Sequence, residues 1–209
     1  MQQPKGIFKL TYSFGELLLA FIKLHFFWSY FTLCGGIVLG IFPATATLIH
    51  IFQYLFENKE FPSYLFQWYK EDYQKNFRSV NQLGLIQLLI LAVLWIDLRV
   101  VSNFLQNQVI HLGLIVLFAL ALLVSLYLFP AFLRYDMRLI QYFKQAFFLT
   151  ISNFIESLAM IIGILLVTAL ATFLPILTLV AFIPLLVLPV SWFSLQAMLK
   201  IERNNLPEK

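Results

Sequence analysis

Long runs without Asp, Glu, Lys or Arg organise this chain. The first extends from Leu24 to Phe56, 33 residues. As one straight helix it would reach about 50 Å at 1.5 Å per residue. The hydrocarbon core of a bilayer is only about 30 Å thick, so the run is too long for one pass and too short for two full ones. Gly40 and Pro43 mark the predicted break, because a proline in the first turn of a new helix gives up no hydrogen bond. The pattern predicts one membrane helix over 16–41 and a short second one over 43–57. Lys23 falls early in the first, where its long stem lets the ammonium reach the interface. A further apolar helix is predicted over 82–102, with Asn103, Gln106, Asn107 and Gln108 as a short polar loop after it. The next span covers 109–133, with Pro130 near its end. From Ser157 to Leu199 come 43 residues without a charge, about 65 Å as a helix. That length predicts a hairpin of two spans, 154–174 and 176–199, turning at Pro175. Pro184 and Pro189 are expected to kink the last helix, which membranes tolerate where neighbours satisfy the freed carbonyls.

Two segments between the spans carry a mixed pattern. In 61–78, Phe61, Leu65, Tyr69, Tyr73 and Phe77 recur every four residues with Trp68 beside them, and Lys70, Gln74 and Arg78 lie opposite. This predicts an interfacial amphipathic helix anchored by Trp68, Tyr69 and Phe77. Asp72 breaks the pattern by falling on the apolar side. The segment 134–153 predicts a second interfacial helix feeding the following span. The fold class is therefore all-α, a single integral membrane domain over 1–209 with five to six membrane helices plus two interfacial amphipathic helices.

Composition narrows the classes further. Hydrophobic residues make up 61% of the chain and charged residues 11%, against roughly 45–50% and about 25% in soluble domains. A soluble fold of this size leaves too much surface to hide that apolar excess. A soluble enzyme, a nucleic-acid-binding domain and a disulfide scaffold are excluded on this ground, the last also because Cys34 is the lone cysteine. The net charge of +4 reads as Lys and Arg held on one side of the bilayer. Lys5 and Lys9, Lys59 to Arg78, Arg134 to Lys144, and Lys200 to Lys209 form four basic groups. No basic residue lies between Arg99 and Arg134, nor at the Pro175 turn. If all four groups face the cytoplasm, both termini are inside and the crossings number six. Five crossings would put Lys5 and Lys9 outside. No cleavable signal peptide is expected, because the first apolar run far exceeds the roughly 7–15 residues of a signal core.

The candidate chemistry is sparse. Asp97 and Arg99 lie near the end of a span, where an ionisable group is a functional candidate, although Trp95 beside them marks headgroup depth. Spaced two apart, they point to different helix faces and are not expected to pair. Glu156 opens a span and suits the positive end of a helix dipole. Arg134, Asp136 and Arg138 alternate at a span end, where they are placed to grip a partner protein or lipid phosphates. Gly36 and Gly40 read as a small-xxx-small pair for close helix contact. His25, His50 and His111 share no metal-ligand spacing, and neither a phosphate-binding GxxxxGK[ST] loop nor an HExxH motif is present. No catalytic, cofactor-binding or metal residues are predicted. Phe42-Pro43-Ala44 recurs as Phe129-Pro130-Ala131, but few residues match and the spacings after each motif differ.

Several of these segments carry a resemblance in their order and spacing. They are Gly40-Ile41-Phe42-Pro43-Ala44-Thr45-Ala46, then Trp68-Tyr69-Lys70 with Asn76-Phe77, then Phe129 to Asp136, then Lys144-Gln145-Ala146-Phe147. Together they resemble the YesL-like family of small bacterial membrane proteins over almost the whole chain. Members of that family occur beside genes for carbohydrate ABC importers and glycan-degrading enzymes. The resemblance implies an accessory role in sugar uptake at a bacterial cell membrane, with the permease subunits of an importer as partners and the bilayer as surroundings. It supplies no catalytic residues. The function expected is a non-catalytic accessory or scaffold subunit, no enzyme and no nucleic-acid binder. The alternative is a stand-alone small transporter or channel, which needs polar groups along a midplane path. For that path the sequence offers Thr32, Thr45, Thr47, Gln87, Ser125 and Thr168.

Overall fold

A computed structural model describes residues 7–105 and 107–205. Lys5, Gln106 and Lys209, used in the loop and charge arguments above, lie outside the described residues. The chain is all-α. Its helices are α1 (Ile7–Cys34), α2 (Val38–Asn58), α3 (Leu65–Val100), α4 (Gln108–Arg134), α5 (Leu139–Ser152), α6 (Phe154–Phe173), α7 (Pro175–Val180) and α8 (Phe182–Asn205). Six of them, all but α5 and α7, are long and apolar enough to cross a membrane.

The boundaries differ from the sequence pattern at four places, each for a local reason. The first helix ends at Cys34 and not near residue 41, and the chain reverses through Gly35, Gly36 and Ile37. Gly36 has φ 74°, a left-handed conformation that glycine adopts without a Cβ penalty. Gly40 packs directly on the Thr32 backbone, where any side chain would collide. Pro43 sits inside α2 and does not begin it, and α2 has 21 residues, about 30 Å. It is therefore not short.

The second difference is that most of 61–78 and of 82–102 are joined in one 36-residue helix, α3, which starts only at Leu65 and passes at Val101 into a π-helical turn. Neither Gly nor Pro lies between Leu65 and Leu83 to break it. At about 54 Å it exceeds the hydrocarbon thickness, and the charges from Lys70 to Arg78 mark the end that extends beyond. Its aromatic stripe faces protein. Tyr69 is fully buried and stacks on Phe31 of α1 at 5.0 Å between centroids. The Tyr69 hydroxyl donates to the Ala44 carbonyl, and that of Tyr73 donates to the Phe31 carbonyl. Tyr69 is thus a core residue and not a headgroup anchor. Trp68 and Phe77 are half-buried and pack on the same core.

Third, the 134–153 segment is extended from Tyr135 to Arg138 before α5 begins, and it breaks again at Asn153. Fourth, the turn in the last hairpin is itself a short helix. α6 stops at Phe173, Pro175 opens α7, and Ala181 separates α7 from α8. Asn107 caps α4, its side-chain oxygen accepting from the Val109 and Ile110 N–H groups. That cap is the reason the polar cluster there makes such a tight connection.

The spans pack into two adjoining cores. One gathers Phe21, Leu24 and Phe31 of α1, Leu48 and Phe52 of α2, Tyr69 and Tyr73 of α3, and Val187 of α8. The other gathers Leu83 of α3, Tyr127 and Leu128 of α4, Leu149 of α5, Met160 of α6, and Met198 of α8. α8 contributes to both, and Phe129 packs against both. The two Phe-Pro-Ala motifs meet here, with the rings of Phe42 and Phe129 6.3 Å apart. Close approach of α3 to α2 depends on Gly84, where an added Cβ would lie 2.5 Å from the Phe42 ring. Gly84→Ala is therefore expected to destabilise the protein by about 1–3 kcal/mol through overpacking. Gly113→Ala, on an open face of α4, should be neutral or stabilising by up to about 1 kcal/mol. Thermal unfolding of the two variants in one detergent checks the pair.

Candidate functional site

The C-terminal ends of α2, α4 and α8 converge on one side chain. Arg134, in the last turn of α4, donates from Nε and Nη2 to the two carboxylate oxygens of Glu202 at 2.6 and 2.7 Å. Its Nη1 donates to Glu57 at 2.8 Å. The fork of the guanidinium matches the Glu202 carboxylate in a bidentate pair, the stronger form of this contact. Helix C-termini carry partial negative charge, so the one cation here bridges two carboxylates at a place the helix ends already make negative. Tyr135 follows directly. Burial and then the Glu202 charge push its phenol up to about 12. Beside this cluster Lys200 pairs with Glu156 at 3.1 Å, tying α8 to the first turn of α6.

A second polar contact joins α2 and α3. His50 Nδ1 lies 2.9 Å from Asp72 Oδ1, and Asn76 donates to the same oxygen at 3.0 Å. The other Asp72 oxygen is buried without a partner. The Trp68 ring meets the imidazole edge-on at 4.8 Å. The sequence flagged Asp72 only as a flaw in an amphipathic stripe. The flaw is a buried carboxylate facing a histidine of the preceding helix.

The third feature is a cavity of about 260 Å³ between α2, α3, α4 and α8, whose lining includes Thr45, Gln87 and Ser125. Half of the polar residues proposed for a midplane path therefore meet in one place. Each already bonds to the protein. Thr45 accepts from the Trp28 indole, Gln87 donates to the Ala121 carbonyl, and Ser125 donates to the Leu122 carbonyl. Thr32 and Thr47 are buried elsewhere with unpartnered hydroxyls, and Thr168 bonds its own helix at Ile164.

The remaining sequence candidates scatter. Asp136 and Arg138 are exposed beside the Arg134 cluster. Asp97 and Arg99 are exposed and do not pair with each other, and Arg99 lies 5.0 Å over the Trp95 ring. Gly36 and Gly40 do not share a helix face, because Gly36 is in the turn and Gly40 is buried against Thr32. Sequence reasoning missed His50 as a partner, and it missed Glu57 and Glu202. The two glutamates stand 77 and 68 residues from Arg134, and no local spacing signals contacts at that range.

Six apolar spans with a few internally bonded polar groups define a multi-pass membrane protein. Over residues 21–98 the chain matches the family described as "Protein of unknown function, DUF624". It is a distant homologue of three Bacillus subtilis (strain 168) proteins, each named only as uncharacterized. It is 28% identical to YteU over 150 residues, 71% of this chain and 67% of that one. It is 30% identical to YesV over 141 residues, 65% of each chain. To YesL it is 27% identical over 141 residues, 67% of this chain and 66% of YesL. The matched region thus spans about two thirds of each relative's length. No solved structure matches the chain.

The Arg134 cluster has a measurable consequence. Arg134→Gln leaves two carboxylates facing each other without their cation, and it is expected to destabilise the protein by about 2 kcal/mol. Arg134→Lys keeps the charge but loses the bidentate fork, so it should fall between. Thermal unfolding in detergent ranks the three proteins.

Proposed function

We propose that this chain is a non-catalytic accessory subunit of a carbohydrate import system in a bacterial cell membrane. It holds the permease through its outer helix faces, and its charged end faces the cytoplasm. The observation that carries this reading is the state of the polar groups at the Arg134 cluster and along the α2–α3–α4–α8 cavity. The cations, carboxylates and amide there are bonded within the chain, and they hold helices together. Recognition then falls to the outer faces, which are broadly apolar, and to Asp136 and Arg138 at the charged end. The family resemblance supplies the link to sugar uptake. A stand-alone transporter is the second reading, favoured by the cavity around Thr45, Gln87 and Ser125.

On this reading the six candidate spans all cross, which returns the chain to its starting side, and the grouping of Lys and Arg supports a cytoplasmic location for that side. With Cys34 replaced by Ser, single cysteines at Gln2 and Glu208 should both react only from the cytoplasmic side. Labelling of Gln2 from outside alone contradicts this topology.

For the function itself, Arg138→Glu should reduce the sugar permease that co-purifies in mild detergent several-fold, with insertion unchanged. Flux of labelled sugar through the purified chain alone, well above that of empty liposomes, overturns the accessory reading in favour of the transporter.

A further inference from the structure

Helices α3, α4 and α5 leave an open groove of about 520 Å³. Leu89 and Val93 of α3, Leu117 and Ala121 of α4, and Phe143 and Phe147 of α5 form its walls. Gln87 is its one polar lining residue, and its amide is held by the Ala121 carbonyl. Leu89, Val93, Leu117 and Phe147 are exposed, so the groove faces outward, toward the lipid of a multi-pass protein. From Gln87 to Leu94 it runs about 10 Å along α3.

One end of this groove carries positive charge. α3 and α4 are antiparallel, with Gln87 beside Ala121 and Trp95 beside Phe118. The groove therefore opens at one end toward the first half of α3 and the start of α5. Lys144 lies beside the α5 wall, between the lining residues Phe143 and Phe147 in sequence, and it is exposed. Arg78 lies eleven residues before Leu89, three helical turns away on the same face of α3, and is also exposed. Neither makes an ion pair among the described residues.

We propose that this groove binds an anionic phospholipid, with part of one acyl chain along α3 and α4 and the phosphate against Lys144 and Arg78. Basic residues beside an apolar, bilayer-facing cleft are the chemistry that selects anionic headgroups. A partner helix fits less well. Helices approach closely through small residues, and the groove offers Ala121 among Leu, Val and Phe.

The test extracts the protein from vesicles of equal parts phosphatidylglycerol and phosphatidylcholine and counts retained lipid by native mass spectrometry. The wild type should retain phosphatidylglycerol in preference, by on the order of fivefold per cation. Lys144→Gln with Arg78→Gln should abolish the preference while lipid is still retained. Val93→Trp fills the groove and should remove both lipids, and Leu117→Trp repeats this from the opposite wall should the first variant fail to fold. Val109→Trp, on an exposed apolar position outside the groove, should behave as wild type. Equal retention of the two lipids by the wild type overturns the proposal. So does unchanged lipid retention in both folded groove-filling variants, which would leave the cleft to a partner helix.

Discussion

Three helix ends depend on one guanidinium. The last turns of α2, α4 and α8 bring together two carboxylates and the negative ends of their helix dipoles, an arrangement that repels itself without a cation. Arg134 fills that place with three charged hydrogen bonds. The consequence reaches through the bundle. α2 belongs to the core with α1 and the first half of α3, whereas α4 belongs to the core with α5 and α6. α8 runs between them and touches both. Joining the ends of α2, α4 and α8 therefore fixes how the two cores meet.

The interior follows from the same scarcity of polar partners. In a bilayer an unsatisfied polar group has no water to turn to, and the groups around the cavity bind backbone or neighbouring side chains. Gln87 holds α3 to α4, Trp28 and Thr45 hold α1 to α2, and Tyr127 with Ser157 holds α4 to α6. Other buried polar atoms lack a partner, among them one Asp72 carboxylate oxygen beside His50 and the Thr32 and Thr47 hydroxyls. A bundle whose polar groups hold its helices to one another suits a protein that presents surfaces to others.

Much of the fold was legible in the sequence. The spans over 109–133 and 154–174 lie within a residue or two of α4 and α6, because apolar sequence there ends at Arg134 or begins just after Asn153. The α1–α2 turn was misplaced because Pro43 gave a louder signal than Gly35-Gly36, although close backbone approach and a positive φ are what reverse the chain. α3 was divided because its composition changes from charged to apolar near Val80. Composition reports surroundings, and a helix passing out of the bilayer changes surroundings without breaking. The alternation of Arg134, Asp136 and Arg138 drew attention to the right end of the bundle. Glu57 and Glu202, which complete the site, are distant in sequence and lie on helices whose local pattern is unremarkable.

Arg134 and Glu202 act as one coupled unit that sets the junction of the two cores. A double-mutant cycle tests it, with Arg134→Gln, Glu202→Gln and the two combined, each unfolded in the same detergent. The double variant is expected to lose less stability than the two single losses added, with a coupling of at least about 1 kcal/mol. Strict additivity, with coupling near zero, would mean that the contact forms without holding the helix ends together.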